Sequence, residues 1–146
     1  GGHLALMLGT TETRDPKASS RQSSKVQAVV NFFGVSDFTL MLPLWNVLAE
    51  TVFGVKPADV RPLMAAASPL THLDKLDAPV FTFHGIADWV VPISQSKALD
   101  SKLKELGIAH TFIQIRDSGH EVDLKRKDVQ DAVAAMLAWL DGQLRP

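Results

Sequence analysis

Cysteine is absent from the 146 residues of this sequence, which excludes disulfide bonds, thiolate zinc sites and thiol nucleophiles. An excess of charge of either sign is also absent, because 15 Lys and Arg nearly offset 16 Asp and Glu and leave a net charge of -1. Such a balance provides no field that would attract nucleic acid or an anionic membrane. No apolar run approaches the roughly 18 residues that a membrane-spanning helix needs. We therefore expect neither a nucleic-acid partner nor a membrane span.

The residues that are present have the composition of one soluble globular domain, with 46% hydrophobic and 21% charged residues. The first eight residues are too few for a signal peptide and lack its basic residues. The cellular compartment is left undetermined by these features.

Local patterns predict a regular alternation of strands and helices. Runs rich in β-branched and aromatic residues predict strands at 26–34, 79–84 and 110–116. Amphipathic stretches predict helices at 93–106 and 128–142, and Gly107 is a suitable cap for the first of them. This alternation predicts an α/β fold in which crossover helices join the strands of a parallel sheet.

A connecting stretch of about forty residues, 36–77, separates the first two predicted strands. It is rich in Leu, Trp, Phe and Pro and is too long for a plain connection. We predict short helices within it, around 42–53 and 58–67, and interpret the stretch as a helical, cap-like insertion. Near the start of the chain we predict a short helix at 2–8, followed by a polar loop at 10–25.

Two residues at the ends of neighbouring strands carry the strongest chemical signal. Asp88 follows the second predicted strand and His120 follows the third. Open α/β sheets place their active sites at these carboxyl ends, where an aspartate can hydrogen-bond an imidazole and support its protonated form. Taken alone, either residue is more often a surface histidine or a turn former. Together, in the order acid then base, they predict part of a catalytic triad.

The other polar candidates favour structural roles. His84 ends a buried strand and is expected to satisfy a backbone group there, while His3, His72 and His110 have no partner at metal-ligand spacing. Asp37 follows the first strand, and we interpret it as a structural cap. We therefore predict no metal site and no cofactor.

Four short motifs resemble those of a known group of enzymes. They are HG-x-x-D-x-x-V-P at 84–92, S-G-H at 118–120, A-S-P-L at 67–70 and G-G-H-L-A at 1–5. Together they resemble the dienelactone-hydrolase-like and prolyl-oligopeptidase-like esterases, and most of all the bifunctional feruloyl and acetyl-xylan esterases and the hormone-sensitive-lipase-like carboxylesterases. The resemblance implies that residues 1–146 are the C-terminal part of one three-layer α/β-hydrolase domain.

The resemblance also implies a function, the hydrolysis of small carboxylic esters through an acyl-enzyme. If Gly1 is the last glycine of the nucleophile elbow G-x-S-x-G, the serine lies two residues before it. Ser36, Ser68 and Ser118 lack the flanking glycines, so none of them is a candidate nucleophile. We expect this chain alone to be inactive. The alternatives are a prolyl-oligopeptidase-like peptidase and a non-catalytic remnant or assembly module of the same fold.

Two further expectations concern substrate and partner. Trp89 and the aromatic-rich stretch 38–53 are candidates for lining the substrate pocket, although packing in the core or cap is the slightly favoured alternative. The first strand, 26–33, is apolar and has no Pro or Lys to protect an open edge. We expect it to pair with the missing N-terminal half of the fold or with a second copy of the chain.

Overall fold

The computed structural model describes residues 1–11, 25–41, 51 and 54–145. In chain order its elements are α1 (Gly2–Thr10), β1 (Val29–Phe32), a 3₁₀ helix (Phe38–Met41), α2 (Pro57–Ala66), α3 (Pro69–His72), β2 (Val80–Gly85), α4 (Ser94–Leu106), β3 (His110–Ile115) and α5 (Lys127–Leu144). The predicted helix at 42–53 lies, except for Thr51, outside the described residues, as does most of the predicted polar loop at 10–25.

The three strands form one parallel sheet in the order β1-β2-β3. Val29 is in register with Val80, and Val80 with His110, so the three strands begin at the same end of the sheet. The prediction of an α/β fold with a parallel sheet and crossover helices is confirmed. Parallel strands also end at one common edge, and this edge is where Asp88 and His120 follow their strands.

Helices cover both faces of the sheet because side chains alternate along each strand. One face packs against α1 and α4 through a cluster of buried apolar side chains, which includes Leu6, Val29, Val80, Leu99 and Leu103. The opposite face packs against α5 through Phe83, Ile115, Val129 and Ala132. The sheet is therefore the middle of three layers.

The first strand is shorter at both ends than the predicted 26–34. Pro79 explains the late start. In a parallel ladder the residue at position 79 would donate its N–H to the carbonyl group of Gln27, and proline has no N–H to donate. Regular pairing begins instead at Val29, whose N–H donates to the Pro79 carbonyl at 2.9 Å. At the other end, Phe33 has a φ of 39°, in the left-handed region, which turns the chain out of the strand before Gly34.

The two long helices lie close to their predicted bounds. Helix α4 ends at Gly107, as predicted, where a φ of 72° allows the next N–H, of Ile108, to bond the Leu103 carbonyl at 2.9 Å. Helix α5 buries Val129 fully, whereas Leu137 of the same helix is 57% exposed. No helix in the described part of the chain is long and apolar enough to cross a membrane.

Within the connecting stretch 36–77, the structure contains the 3₁₀ helix, α2 and α3. The predicted helix at 58–67 corresponds to α2. Asp37 caps the 3₁₀ helix, since its Oδ1 accepts hydrogen bonds from the N–H of Thr39 at 2.8 Å and from its hydroxyl at 2.6 Å. The structural role predicted for Asp37 is therefore confirmed, whereas the interpretation of the stretch as a cap over the site stays a prediction.

Candidate active site

The loops that follow β2 and β3 are joined directly to each other. The N–H of Ile86 donates to the Ile115 carbonyl at 2.8 Å, and the N–H of Ala87 donates to the Ser118 carbonyl at 2.9 Å. Gly85 permits this approach, because a Cβ atom there would lie 2.3 Å from the Ser118 oxygen and 2.4 Å from the Gly119 oxygen. The loop after β3 carries His120 and is called the histidine loop, and the loop after β2 carries Asp88 and is called the aspartate loop. A glycine at the end of β2 thus lets the histidine loop lie across the aspartate loop.

Asp88 is held in one orientation by contacts to both carboxylate oxygens. Oδ1 accepts hydrogen bonds from the N–H groups of Val90 and Val91, each at 2.9 Å. Oδ2 lies 2.8 Å from Nδ1 of His120. The Asp88 side chain is completely buried, so no water competes for these oxygens.

The contact with Asp88 determines which nitrogen of neutral His120 holds the proton. Because a carboxylate oxygen faces Nδ1, the hydrogen lies on Nδ1 and the lone pair on Nε2. The His120 side chain is 34% exposed, and its Nε2 has no hydrogen-bond partner among the described residues. The structure thus brings Asp88 and His120 together, as the strand order predicts, with a geometry suited to a general base.

Phe33 packs directly on the imidazole of His120, with the ring centroids 4.3 Å apart. Its backbone φ of 39° and the φ of 50° at Asp117 are the positive values among the described residues other than glycine. Both residues lie within two positions of the end of a strand, at the carboxyl edge of the sheet. Such strained conformations persist where surrounding contacts impose them, and they cluster at functional sites.

An open cavity of about 350 Å³ lies beside His120. It is lined by the start of α1, the end of β1 and part of the aspartate loop, that is by Gly1, Gly2, His3, Val30, Phe32, Phe33, Gly34, Val35, Val91 and His120. Gly2 and Gly34 meet so closely that a Cβ atom at position 2 would lie 2.8 Å from Cα of Gly34. This contact fixes the N-terminus of α1 next to the histidine.

The remaining histidines bond elsewhere. Nε2 of His84 bonds the Val91 carbonyl at 2.8 Å, the backbone role predicted for it. Nε2 of His3 lies 2.8 Å from the Ala67 carbonyl, and His110 bonds Asp100 and Thr82. In the ranges that the structure describes, no group of three or more His, Asp or Glu side chains could hold a metal ion.

Ser36, Ser68 and Ser118, which the sequence excludes as nucleophiles, either bond backbone carbonyl groups or are buried. The hydroxyl of Ser36 donates to the Gln95 carbonyl at 2.7 Å, and that of Ser68 donates to the Met64 carbonyl at 2.6 Å. The Ser118 hydroxyl is buried without a hydrogen-bond partner among the described residues. No serine of the described ranges bonds His120.

The structure does not bring Trp89 to the cavity. Its side chain is 86% exposed, so it neither packs in the core nor lines the space beside His120. Of the stretch 38–53, Phe38 packs edge-on against His3 with the ring centroids 4.9 Å apart, and most of the rest lies outside the described residues. A role for Trp89 in substrate binding stays a prediction.

Sequence reasoning missed three contributors to the site. Gly85 and Phe33 act through close approach and backbone conformation, which a strand pattern does not reveal. The third is a contact of His84 with Asp88, at 3.3 Å between Nε2 and Oδ2. His84 and Asp88 are four residues apart in the sequence, and this short spacing is the one sequence signal for their contact.

Comparison with known proteins yields matches over most of the chain. The BD-FAE family matches residues 1–103. Among curated proteins of Mycobacterium tuberculosis, Esterase LipQ is 28% identical over 158 aligned positions, which cover 98% of this chain and 37% of LipQ. The probable carboxylic ester hydrolase LipM is 32% identical over 115 positions, covering 73% of this chain and 26% of LipM. The chain thus spans about a third of these relatives.

A solved structure supports the same assignment of the fold. The bifunctional GH43-CE of Bacteroides eggerthii superposes with a TM-score of 0.78 at 28% identity, covering 99% of this chain and 22% of that one. The fold is a partial α/β-hydrolase fold. The expected resemblance to bifunctional and lipase-like esterases is confirmed.

Proposed function

The chain belongs to the BD-FAE family, and from this premise we propose that it is part of a serine hydrolase that cleaves carboxylic esters through an acyl-enzyme. In this proposal Asp88 orients His120, and His120 is the general base. The nucleophilic serine lies upstream of Gly1, and Gly1 is the last glycine of the elbow. The names of LipQ, an esterase, and of LipM, a probable carboxylic ester hydrolase, support this class of reaction.

One observation carries the proposal: Gly1 and His120 line the same cavity. A serine two residues before Gly1 would therefore lie close to His120. Nδ1 of His120 is engaged by a buried carboxylate at 2.8 Å, and Nε2 has no partner among the described residues. A base with a free Nε2, facing the position expected for the nucleophile, is the arrangement that acyl transfer requires.

The proposed reaction has two halves. In the first, Nε2 of His120 takes the serine hydroxyl proton while the serine oxygen bonds the ester carbonyl carbon, and the same proton then passes to the departing alcohol. In the second, His120 deprotonates a water molecule, whose oxygen bonds the acyl carbon; the bond to the serine oxygen then breaks, the proton passes from His120 to that oxygen, and the acid is released. Asp88 stabilises the imidazolium in both halves, and no cofactor takes part.

Labelling with a fluorophosphonate probe tests this proposal on the full-length protein. Such probes react with an activated serine, so we expect the wild-type protein to be labelled and to hydrolyse p-nitrophenyl acetate. His120→Ala should lose both properties, and Lys102→Ala, a change on the exposed side of α4, should keep them. Absence of labelling in folded wild-type protein would favour a non-catalytic module. Labelling with turnover of prolyl peptides but not of esters would favour the peptidase alternative.

We also propose that β1 pairs with a further strand. Among the described residues β1 bonds only β2, so its other edge is open. The four residues of β1 include two valines and a phenylalanine and no proline or lysine, which leaves this edge without the usual protection. The occupant is the upstream part of the same fold or, in its absence, a second copy of this chain.

Light scattering on residues 1–146 alone tests this pairing. We expect dimers or larger assemblies, with the amide hydrogens of β1 protected from exchange. Addition of the upstream segment as a separate polypeptide should replace the self-association. A monodisperse monomer whose β1 amides exchange freely would rule the pairing out.

A further inference from the structure

A second imidazole contacts the carboxylate of Asp88 from inside the sheet. His84 lies on β2 and is completely buried. Its Nε2 is 3.3 Å from Oδ2 of Asp88, the same oxygen that meets His120. Its other nitrogen, Nδ1, lies 2.6 Å from the hydroxyl of Ser96 at the start of α4. His84 thus connects a rigid strand and a helix to the carboxylate on the loop.

The surroundings of His84 determine its protonation. Nε2 lies 2.8 Å from the Val91 carbonyl, an acceptor, so the hydrogen lies on Nε2 and bonds that carbonyl. Oδ2 of Asp88 lies beside this N–H group, 3.3 Å from Nε2. Burial lowers the pKa of His84 from its ordinary value of 6.5, although Val91 and Asp88 oppose that shift and His120 adds to it. The ring is therefore neutral at pH 7, and Ser96 donates its hydroxyl hydrogen to Nδ1.

The contact adds a fixed neighbour to the oxygen that meets His120. The N–H groups of Val90 and Val91 bond only Oδ1, and the other contact of Oδ2 is with His120, which lies on a different loop. His84, fixed on β2, is a second polar neighbour of Oδ2. It also holds the Val91 carbonyl, and Val91 lines the cavity.

We propose that His84 is a positioning residue: its Nε2–H group holds Oδ2 of Asp88 in line with Nδ1 of His120. This inference rests on the proposed function, in which Asp88 is the acid of the triad. The alternative is that His84 only satisfies the Val91 carbonyl and stabilises the fold. The two roles differ in what happens when the Nε2 donor alone is removed.

Two amide substitutions in the full-length protein separate these roles. The side chain of His84→Gln reaches the Nε2 position, so its amide can still donate to Asp88. The shorter His84→Asn reaches only the Nδ1 position and keeps the Ser96 side. We expect His84→Asn to lower kcat roughly 10- to 100-fold with KM changed less than about threefold, because Oδ2 loses its N–H neighbour and a small shift of the carboxylate misplaces His120. His84→Gln should restore most of kcat.

Thermal unfolding of both variants shows whether fold loss explains the result. If kcat per folded molecule is the same in the Asn and Gln variants, or if KM rises in parallel with the fall in kcat, the positioning role is wrong. Wild-type activity towards p-nitrophenyl acetate is measured first. Its absence would contradict the proposed function, whereas activity with indifferent His84 variants would contradict only the present inference.

Nitrogen NMR of the wild-type imidazoles provides a test that needs no variant. We expect His84 to be the neutral tautomer with hydrogen on Nε2 at pH 7, and His120 to hold hydrogen on Nδ1. A His84 ring with hydrogen on Nδ1 alone would overturn the proposal, because Nε2 could then not donate to Asp88.

Discussion

Among the described residues, two histidines at the sheet contact an aspartate through Nδ1, and the two pairs are similar in local geometry but differ in surroundings. Nδ1 of His120 lies 2.8 Å from Asp88, and Nδ1 of His110 lies 3.0 Å from Asp100. In the first pair the carboxylate is fully buried and the imidazole is 34% exposed. In the second the imidazole is 1% exposed and the carboxylate 19% exposed.

The two pairs also differ in what contacts Nε2 of the histidine. Nε2 of His110 bonds the hydroxyl of Thr82 at 3.0 Å, and Thr82 is itself fully buried. Hydroxyl, imidazole and carboxylate thus follow each other as in a catalytic triad, yet no substrate can reach them. His120 lines the cavity instead, and its Nε2 has no partner among the described residues. The hydrogen bond between imidazole and carboxylate therefore does not identify a general base, because it also occurs in a structural pair. A general base additionally needs an Nε2 that a substrate can reach.

The largest expected effect is a difference in turnover between the two pairs. His120→Ala should lower ester turnover of the full-length protein by roughly 10⁴-fold or more, because the base is lost. His110→Ala should keep kcat per folded molecule within about threefold but cost about 1–3 kcal/mol of unfolding free energy, because Thr82 and Asp100 lose a buried partner. Steady-state kinetics and urea unfolding measure both. A His110 variant as inactive as the His120 variant would remove the distinction.

A smaller effect is expected where the loops of the accessible pair cross. Gly85→Ala places a Cβ atom against the carbonyl oxygens of Ser118 and Gly119, at 2.3 and 2.4 Å, so the His120 loop must move. A displacement near 1 Å can cost about 100-fold in rate, and we expect kcat to fall by this order. Gly119→Ala is the matched control, since no described atom lies within 4 Å of its added Cβ. Equal activity of the two variants would show that the crossing does not position His120.

A third expectation concerns stability and pH at the enclosed pair. Burial lowers the pKa of His110 from its ordinary value of 6.5, against the opposing effect of Asp100. The unfolded chain therefore binds a proton near pH 6.5 that the folded chain binds only at lower pH. The unfolding free energy should fall as pH drops below 6.5, by at most about 1.4 kcal/mol per pH unit for this group.

Urea unfolding between about pH 5 and pH 8 measures that slope. His84 contributes in the same direction, because burial lowers its pKa as well. His110→Phe should make the slope shallower, while His84 keeps the remainder. A slope unchanged in this variant, or a stability that rises as pH falls through this window, would contradict the expectation.

The smallest expected effect concerns Trp89, the exposed aromatic residue next to the accessible pair. Since the side chain is 86% exposed, Trp89→Ala should leave the melting temperature within about 1 °C. If the side chain contacts bound substrate, the ratio of kcat/KM for long and short p-nitrophenyl esters should change by about three- to tenfold. An unchanged ratio would remove Trp89 from the proposed substrate site.

Much of the fold follows from patterns within short stretches of sequence. Apolar β-branched runs, amphipathic repeats and Gly107 act through neighbouring residues, so strands and helices were predicted within a few residues of their observed bounds. The order of Asp88 and His120 along the chain also suffices to place both at one edge, because parallel strands all end on the same side.

The remaining features depend on contacts between distant parts of the chain. The start of β1 is set by Pro79, which lies fifty residues downstream of Val29 and has no N–H to donate. Phe33 adopts its left-handed φ next to His120, a residue of another loop. Both His110 and His120 contact an aspartate through Nδ1, and only the packed structure shows that the first ring is covered and the second is partly exposed.

The sequence by itself determined the α/β class, the approximate strands and helices, and the candidate pair Asp88 and His120. Only the tertiary structure decided that His120 stays partly exposed, that His110 is enclosed and bonded to Thr82 and Asp100, and that His84 reaches Asp88. The physical reason is that propensity and periodicity act over a few residues. Burial and hydrogen-bond partners exist only after the loops and helices have packed on the sheet.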